Sequence, residues 1–213
     1  MSVRLHFLRH GQTPSSRDNV FCGAGLDPEL TPDGVEMASA FASTYRDRTW
    51  KAIYSGPLRR TLSTAVTIAH ATTIPVTVRA GLVEIAYGLW EGRSTEEVDR
   101  DFHDEYVRWT ADPAWNAPTG GETAIALAQR MLHVVEEITM QHEQGDVLVV
   151  SHKASIRAVV CALIGVDVGR FRYRLGCPVG SLTVVEFGAH GPLAASVADR
   201  SHLDARLRSL PGT

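Results

Sequence analysis

Arg9, His10 and Gly11 follow one another directly, in the stretch Leu8-Arg9-His10-Gly11-Gln12-Thr13, and each has a use in phosphate chemistry. A neutral imidazole is nucleophilic near neutral pH, so it can accept a phosphoryl group and later release it to water. The neighbouring guanidinium offers a planar fork of donors that matches phosphate oxygens. Glycine lets the backbone turn tightly and approach a ligand. Alone, such a tripeptide reads equally well as a solvated turn after a strand. Its meaning depends on which other groups the fold brings beside it.

Three further stretches carry such groups. Arg59 and Arg60 follow Ser55-Gly56-Pro57-Leu58, Glu84 lies in the Gly-punctuated aromatic segment 81–92, and Ser151-His152-Lys153 closes the apolar run Val147-Leu148-Val149-Val150. The alternation of Val3, Leu5 and Phe7, the short run Ala52-Ile53-Tyr54 and the β-branched run before Ser151 all read as buried strands. In a parallel sheet the C-terminal ends of strands meet along one edge, where open α/β folds place their ligands. Residues far apart in sequence would converge there. Arg9, an arginine of the 59–60 pair and a protonated His152 would then supply positive charge to a phosphoryl transition state. Glu84 would protonate the leaving alkoxide if burial and the arriving dianion raise its pKa.

The remaining elements fit the same frame. Thr31 and Pro32 open a helix to about residue 45, with Val35, Ala38, Phe41 and Ala42 on its inward stripe. Further helices follow each strand end, at 62–69 and 154–164, and a long one runs to about 144 after the break at 118–122. A third strand lies near 75–78, and two last strands, about 181–187 and 193–198, form a hairpin. The expected fold is a three-layer α/β/α sandwich: a mostly parallel central sheet, a C-terminal antiparallel hairpin and a small helical insertion at about 94–117, which would act as a lid. Residues 199–213 are polar and read as a mobile tail.

The chain has 213 residues, 44% hydrophobic and 21% charged, with a net charge of −3. This length suits one domain. The charge argues against binding nucleic acid through bulk positive charge and leaves small anionic substrates open. Cys22, Cys161 and Cys177 show neither metal-type nor disulfide-framework spacing. With no apolar run long enough for a membrane and no secretory signal, a cytoplasmic protein is expected. A homodimer is an open expectation. No His/Asp/Glu spacing suggests a metal, and no cofactor is called for.

In sequence the whole arrangement resembles the histidine phosphatase superfamily, the phosphoglycerate-mutase-like fold. The pattern Leu-x-Arg-His-Gly-x-Thr is matched by residues 7–13, with Phe7 in the first apolar place. Phe21-Cys22-Gly23, Leu30-Thr31-Pro32-Asp33-Gly34, residues 55–65, Glu84 within 82–92, Gly120-Gly121-Glu122 and Val150-Ser151-His152 follow in the family's order. The resemblance implies His10 as the phosphohistidine nucleophile, Arg9, Arg60 and His152 as the phosphate pocket, and Glu84 as proton donor. It selects Arg60 over Arg59, which becomes a surface or ion-pair residue. Ser16, Cys22 and Gly23 fall at positions that contact substrate, with Ser16 in place of a common Asn and Cys22 in place of a hydroxyl residue.

Lys153 departs from the small residue usual after the second histidine. It would either contact an anionic substrate group or, as most lysines do, stay in solvent. His6 is expected to be a satisfied core residue, and His70, His133, His142, His190 and His202 surface residues. His103, and the aromatic residues Tyr87, Trp90, Tyr106, Trp109 and Trp115, are candidate substrate neighbours. The implied activity is a metal-independent phosphomonoesterase acting on a small phosphate ester. A phosphoglycerate mutase and a non-catalytic phosphate-binding regulatory module are the alternatives.

Overall fold

A computed structural model describes residues 2–212. In chain order it contains β1 (Val3–Arg9), α1 (Pro14–Arg17), α2 (Pro32–Thr44), β2 (Trp50–Ser55), α3 (Arg59–Thr72), β3 (Val76–Val78), α4 (Thr95–Asp101), α5 (His103–Ala111), α6 (Ala124–Gln141), β4 (Gly145–Ser151), α7 (Lys153–Leu163), α8 (Phe171–Arg174), β5 (Leu182–Gly188), β6 (Gly191–Asp199) and α9 (Ala205–Ser209). The strands form one sheet in the order β3-β2-β4-β1-β5-β6. β3, β2, β4 and β1 run parallel, and the β5–β6 hairpin adds antiparallel beside β1.

The central strands are buried on both faces, which their near-continuous apolar runs require. Leu5, Phe7, Val147 and Val149 pack beneath Leu127, Met131 and Ile138 of α6 and Ile156, Val159 and Val160 of α7. On the opposite face, Leu8, Leu148 and Val150 meet Phe41 of α2 and Ala65 and Ile68 of α3. The three layers expected from the sequence are therefore present. Among the described residues, no helix is long and apolar enough to cross a membrane.

Thr31 caps α2, its hydroxyl accepting the Gly34 N–H at 3.0 Å. The inward stripe of that helix differs from the expected one, since Val35 is exposed and Met37 is buried. The cause is backbone packing between the α2 start and the loop after His10. A Cβ on Gly11 would lie 2.1 Å from the Gly34 carbonyl oxygen, and one on Gly34 2.1 Å from that of Gln12. With Gly34 pressed against this loop, the helix face through Met37, Ala38 and Phe41 turns inward and carries Val35 out.

The expectation of a mobile tail at 199–213 is corrected for its described part. Leu203 and Leu207 are buried against Met37 and Val179, Arg206 pairs with Asp33 at 2.6 Å, and Gln12 Nε2 donates to the Pro211 carbonyl at 2.6 Å. A few leucines within a polar stretch suffice to anchor it. His202, expected at the surface, is buried there with its ring edge-on to Phe41. The 94–117 insertion forms α4 and α5 over an aromatic cluster in which Trp90 and Trp109 meet edge to face at 5.2 Å.

Candidate active site

Two neighbouring strand ends set the centre of the site. β1 pairs with β4 so that Arg9 lies opposite Ser151, and the His10 N–H continues the ladder to the Ser151 carbonyl at 3.1 Å. The next residue on each strand is a histidine, so the two rings face each other edge-on with centroids 5.2 Å apart. His10 Nδ1 lies 2.7 Å from the Gly11 carbonyl oxygen. A carbonyl only accepts, so Nδ1 carries the proton and, in the neutral ring, the Nε2 lone pair is free. Burial, and then the charges of Arg60 and Arg9, hold the His10 pKa well below its ordinary value. The resting imidazole is neutral, with its Nε2 lone pair available.

Arg60, at the start of α3, fixes the second ring. Its Nε donates to His152 Nδ1 at 3.2 Å, while its terminal nitrogens donate to the Leu26 carbonyl at 2.7 Å and the Gly23 carbonyl at 2.9 Å. Since a guanidinium cannot accept, His152 Nδ1 is the acceptor and its proton sits on Nε2, a buried donor with no partner among the described residues. The expectation of a protonated His152 is corrected accordingly. Burial, followed by Arg60 and His10, pushes its pKa well down, so it is a neutral N–H donor. Arg9 donates to the Cys177 carbonyl at 2.7 Å.

Glu84 arrives from the loop after β3 and closes the α7 N-terminus. His152, the N-cap of that helix, makes no side-chain cap bond. Instead the Glu84 carboxylate accepts from the backbone N–H groups of Ala154 and Ser155 at 3.1 Å each, from the Ser155 hydroxyl at 2.9 Å and from its own neighbour Ile85 at 2.9 Å. A carboxylate at a helix start is favoured by the helix dipole and by these otherwise orphaned donors.

One cavity is lined by Arg9, His10, Arg60 and Glu84, and on its walls also by Ser16, Cys22 and Lys153. His152 is buried beside the His10 ring and is not among the residues lining the cavity. The Ser16 hydroxyl is spent on the α1 cap: it accepts from the Thr13 N–H at 2.9 Å and donates to the Thr13 carbonyl at 3.0 Å. Burial raises the Cys22 thiol pKa, keeping it protonated. Gly23 is not on the wall. A Cβ there would lie 2.1 Å from the Ile85 carbonyl oxygen, so glycine allows the close packing that brings its own carbonyl to Arg60.

Lys153, half-buried, lines the cavity. Arg59 pairs with Glu29 at 2.9 Å on the surface, and His6 is buried with Nε2 2.9 Å from Asp146. Of the candidate aromatic neighbours, Tyr87 and Trp109 line the cavity, whereas Trp115 is exposed. His103 is bonded to Asp99 on the surface and does not reach it. Sequence reasoning missed Arg157, Phe171 and Arg172. Arg157 had a signal, since it follows Lys153 by four residues and so shares its helix face. Arg172 had none, lying in the four-residue helix α8, too short to show periodicity.

The profile of the histidine phosphatase superfamily (branch 1) matches residues 5–200. This chain belongs to that family. Among members, phosphoserine phosphatase 1 of Hydrogenobacter thermophilus is 33% identical over 183 residues, 86% of each chain. Glucosyl-3-phosphoglycerate phosphatase of Mycolicibacterium vanbaalenii is 34% identical over 194 residues, 88% of this chain and 84% of that one. The solved structure of Bacillus stearothermophilus YhfR superimposes with a TM-score of 0.88 at 26% identity, covering 95% of this chain and all of that one.

Proposed function

We propose that this histidine phosphatase family member is a metal-independent phosphomonoesterase that hydrolyses a small phosphorylated metabolite through a phosphohistidine on His10. The observation that carries the reading is the orientation of the His10 ring: Nδ1–H is tied to the Gly11 carbonyl, leaving an uncharged Nε2 lone pair in a cavity walled by arginines. Relatives named as phosphatases of phosphoserine and glucosyl-3-phosphoglycerate support hydrolysis of phosphate esters as the reaction class.

In this scheme Nε2 attacks phosphorus in line, forming the N–P bond as the P–O bond to the leaving group breaks. A proton carried in on the ester monoanion passes through Glu84 to the departing alkoxide. Water then adds to phosphorus, returns a proton to Glu84 and breaks the N–P bond, releasing inorganic phosphate. Arg9 and Arg60 stabilise the charge that spreads over the equatorial oxygens, and the His152 Nε2–H, buried beside the His10 ring, joins them once phosphorus is bonded to that ring. Ser16, Cys22, Gly23 and Lys153 surround or support the ester at the rim.

Phosphate release from p-nitrophenyl phosphate and a panel of phosphometabolites, measured for the wild type and His10→Ala, tests the proposal. Release by the wild type alone is the expected result. Isomerisation of phosphoglycerates that depends on added bisphosphoglycerate would make the protein a mutase. Silence across the panel, with phosphate still bound, would make it a binding module.

A further inference from the structure

Beyond the phosphate-holding corner, the cavity has a second cationic wall. Lys153 and Arg157 stand one turn apart on α7, and Arg172 comes from α8 to meet them. Among the described residues lining the cavity Glu84 is the only acidic side chain, and its oxygens are already engaged by the Ile85, Ala154 and Ser155 donors. Rings and a carbonyl hold the two arginines in place of acids. The Arg157 guanidinium lies 5.6 Å from the Phe171 ring and donates to the Arg172 carbonyl, and the Arg172 guanidinium stacks 4.0 Å from Trp109.

This support leaves donors uncommitted. Arg157 is only 9% exposed, and among the described residues its Nε has no acceptor; Arg172 has a terminal nitrogen that is also buried without one. Burying cationic donors without acceptors is costly, and crowding three like charges adds to the cost. Lys153 registers this crowding: burial, then Arg9 and Arg157, bring its pKa down to about 8. An anion placed between the three would satisfy the open donors and reverse the repulsion.

We propose that Lys153, Arg157 and Arg172 form a second anion subsite, so that the substrate is a phosphomonoester bearing another acidic group, a carboxylate or a second phosphate. The inference rests on the phosphatase reading for the placement of the scissile group, but the wall can be tested apart from it. Two substrate pairs isolate the added charge: glycerol 3-phosphate against 3-phosphoglycerate, and fructose 6-phosphate against fructose 1,6-bisphosphate.

The wild type is expected to prefer the more anionic member of at least one pair by about tenfold in kcat/KM, expressed mainly in KM. The carboxylate pair or the bisphosphate pair then identifies the second group. Arg172→Gln and Arg157→Gln are expected to reduce that preference about tenfold, and Arg172→Lys to retain part of it. Equal rates within both pairs, or variants that lose both members of a pair in equal proportion, would overturn the subsite. Calorimetric titration of the same compounds separates the two failures. Tighter binding of the more anionic member without phosphate release keeps the wall and defeats the phosphatase reading. Equal binding defeats the wall.

Discussion

Arg60 and Arg172 line the same cavity and are held in opposite ways. Arg60 is fixed on three sides by the Leu26 and Gly23 carbonyls and the His152 ring, and the His10 ring beside it is locked on the Gly11 carbonyl. Arg172 rests on the face of Trp109 and keeps a buried nitrogen without an acceptor among the described residues. The first wall thus has its geometry set before any ligand arrives, as bond-making requires. The second wall holds charge in reserve and takes its final arrangement from whatever anion fills it. On the proposed reading, fixed chemistry and selective recognition are divided between strand ends on one side and the helices α7 and α8 on the other.

The comparison breaks most visibly at His10. His10→Ala is expected to lower kcat for every ester by about 10⁴-fold or more, as loss of a covalent nucleophile does, whereas changes on the second wall leave ester-dependent residues of activity. Arg60→Met is expected to cost about 10²- to 10³-fold in kcat/KM. It should also lower Tm, because two carbonyls and a ring nitrogen lose their buried donor. A normal Tm in that variant would contradict the structural role assigned to Arg60.

Glu84→Gln sharpens the division of labour within the first wall. Loss of a proton donor is expected to cost about 10²-fold or more for alkyl phosphates and far less for p-nitrophenyl phosphate, whose leaving group needs no proton. Equal losses for both would move Glu84 from proton transfer to positioning α7. On the second wall, Trp109→Leu removes the platform beneath Arg172, a contact worth about 1–2 kcal/mol when desolvated. A several-fold fall in discrimination between 3-phosphoglycerate and glycerol 3-phosphate is the expected result.

The last effect concerns pH and stability, not rate. Burial holds the His202 pKa down to about 4, below its value in the unfolded chain. Stability from the neutral ring is therefore fully present above about pH 6.5 and is lost as pH falls through the folded value, by about 3 kcal/mol in all. His6, His10 and His152 are depressed as well and act in the same sense. Replacing His202 by Leu should flatten, without abolishing, the fall in Tm between pH 7 and pH 4.

The first wall was legible in the sequence because its parts sit at strand ends. Apolar alternation located β1 and β4, and each strand stops at a motif whose residue types name their chemistry. The second wall was less legible, for a physical reason. Arg157 lies on an ordinary helix and Arg172 in a stretch where tertiary packing, not periodicity, decides the path. The tail was misread for a related reason: Leu203 and Leu207 are too few to produce a pattern but enough to bury against Met37. The protonation of His152 could not be read either, since it depends on Arg60, 92 residues away, donating to its Nδ1.

The central claim is that His10 carries phosphorus covalently, and rapid quenching of the wild type with a ³²P-labelled ester tests it most directly. The account predicts a burst of protein-bound label that is acid-labile and base-stable, maps to His10, and disappears in His10→Ala. Hydrolysis at full rate with no label on His10, or with label on another residue, would contradict it.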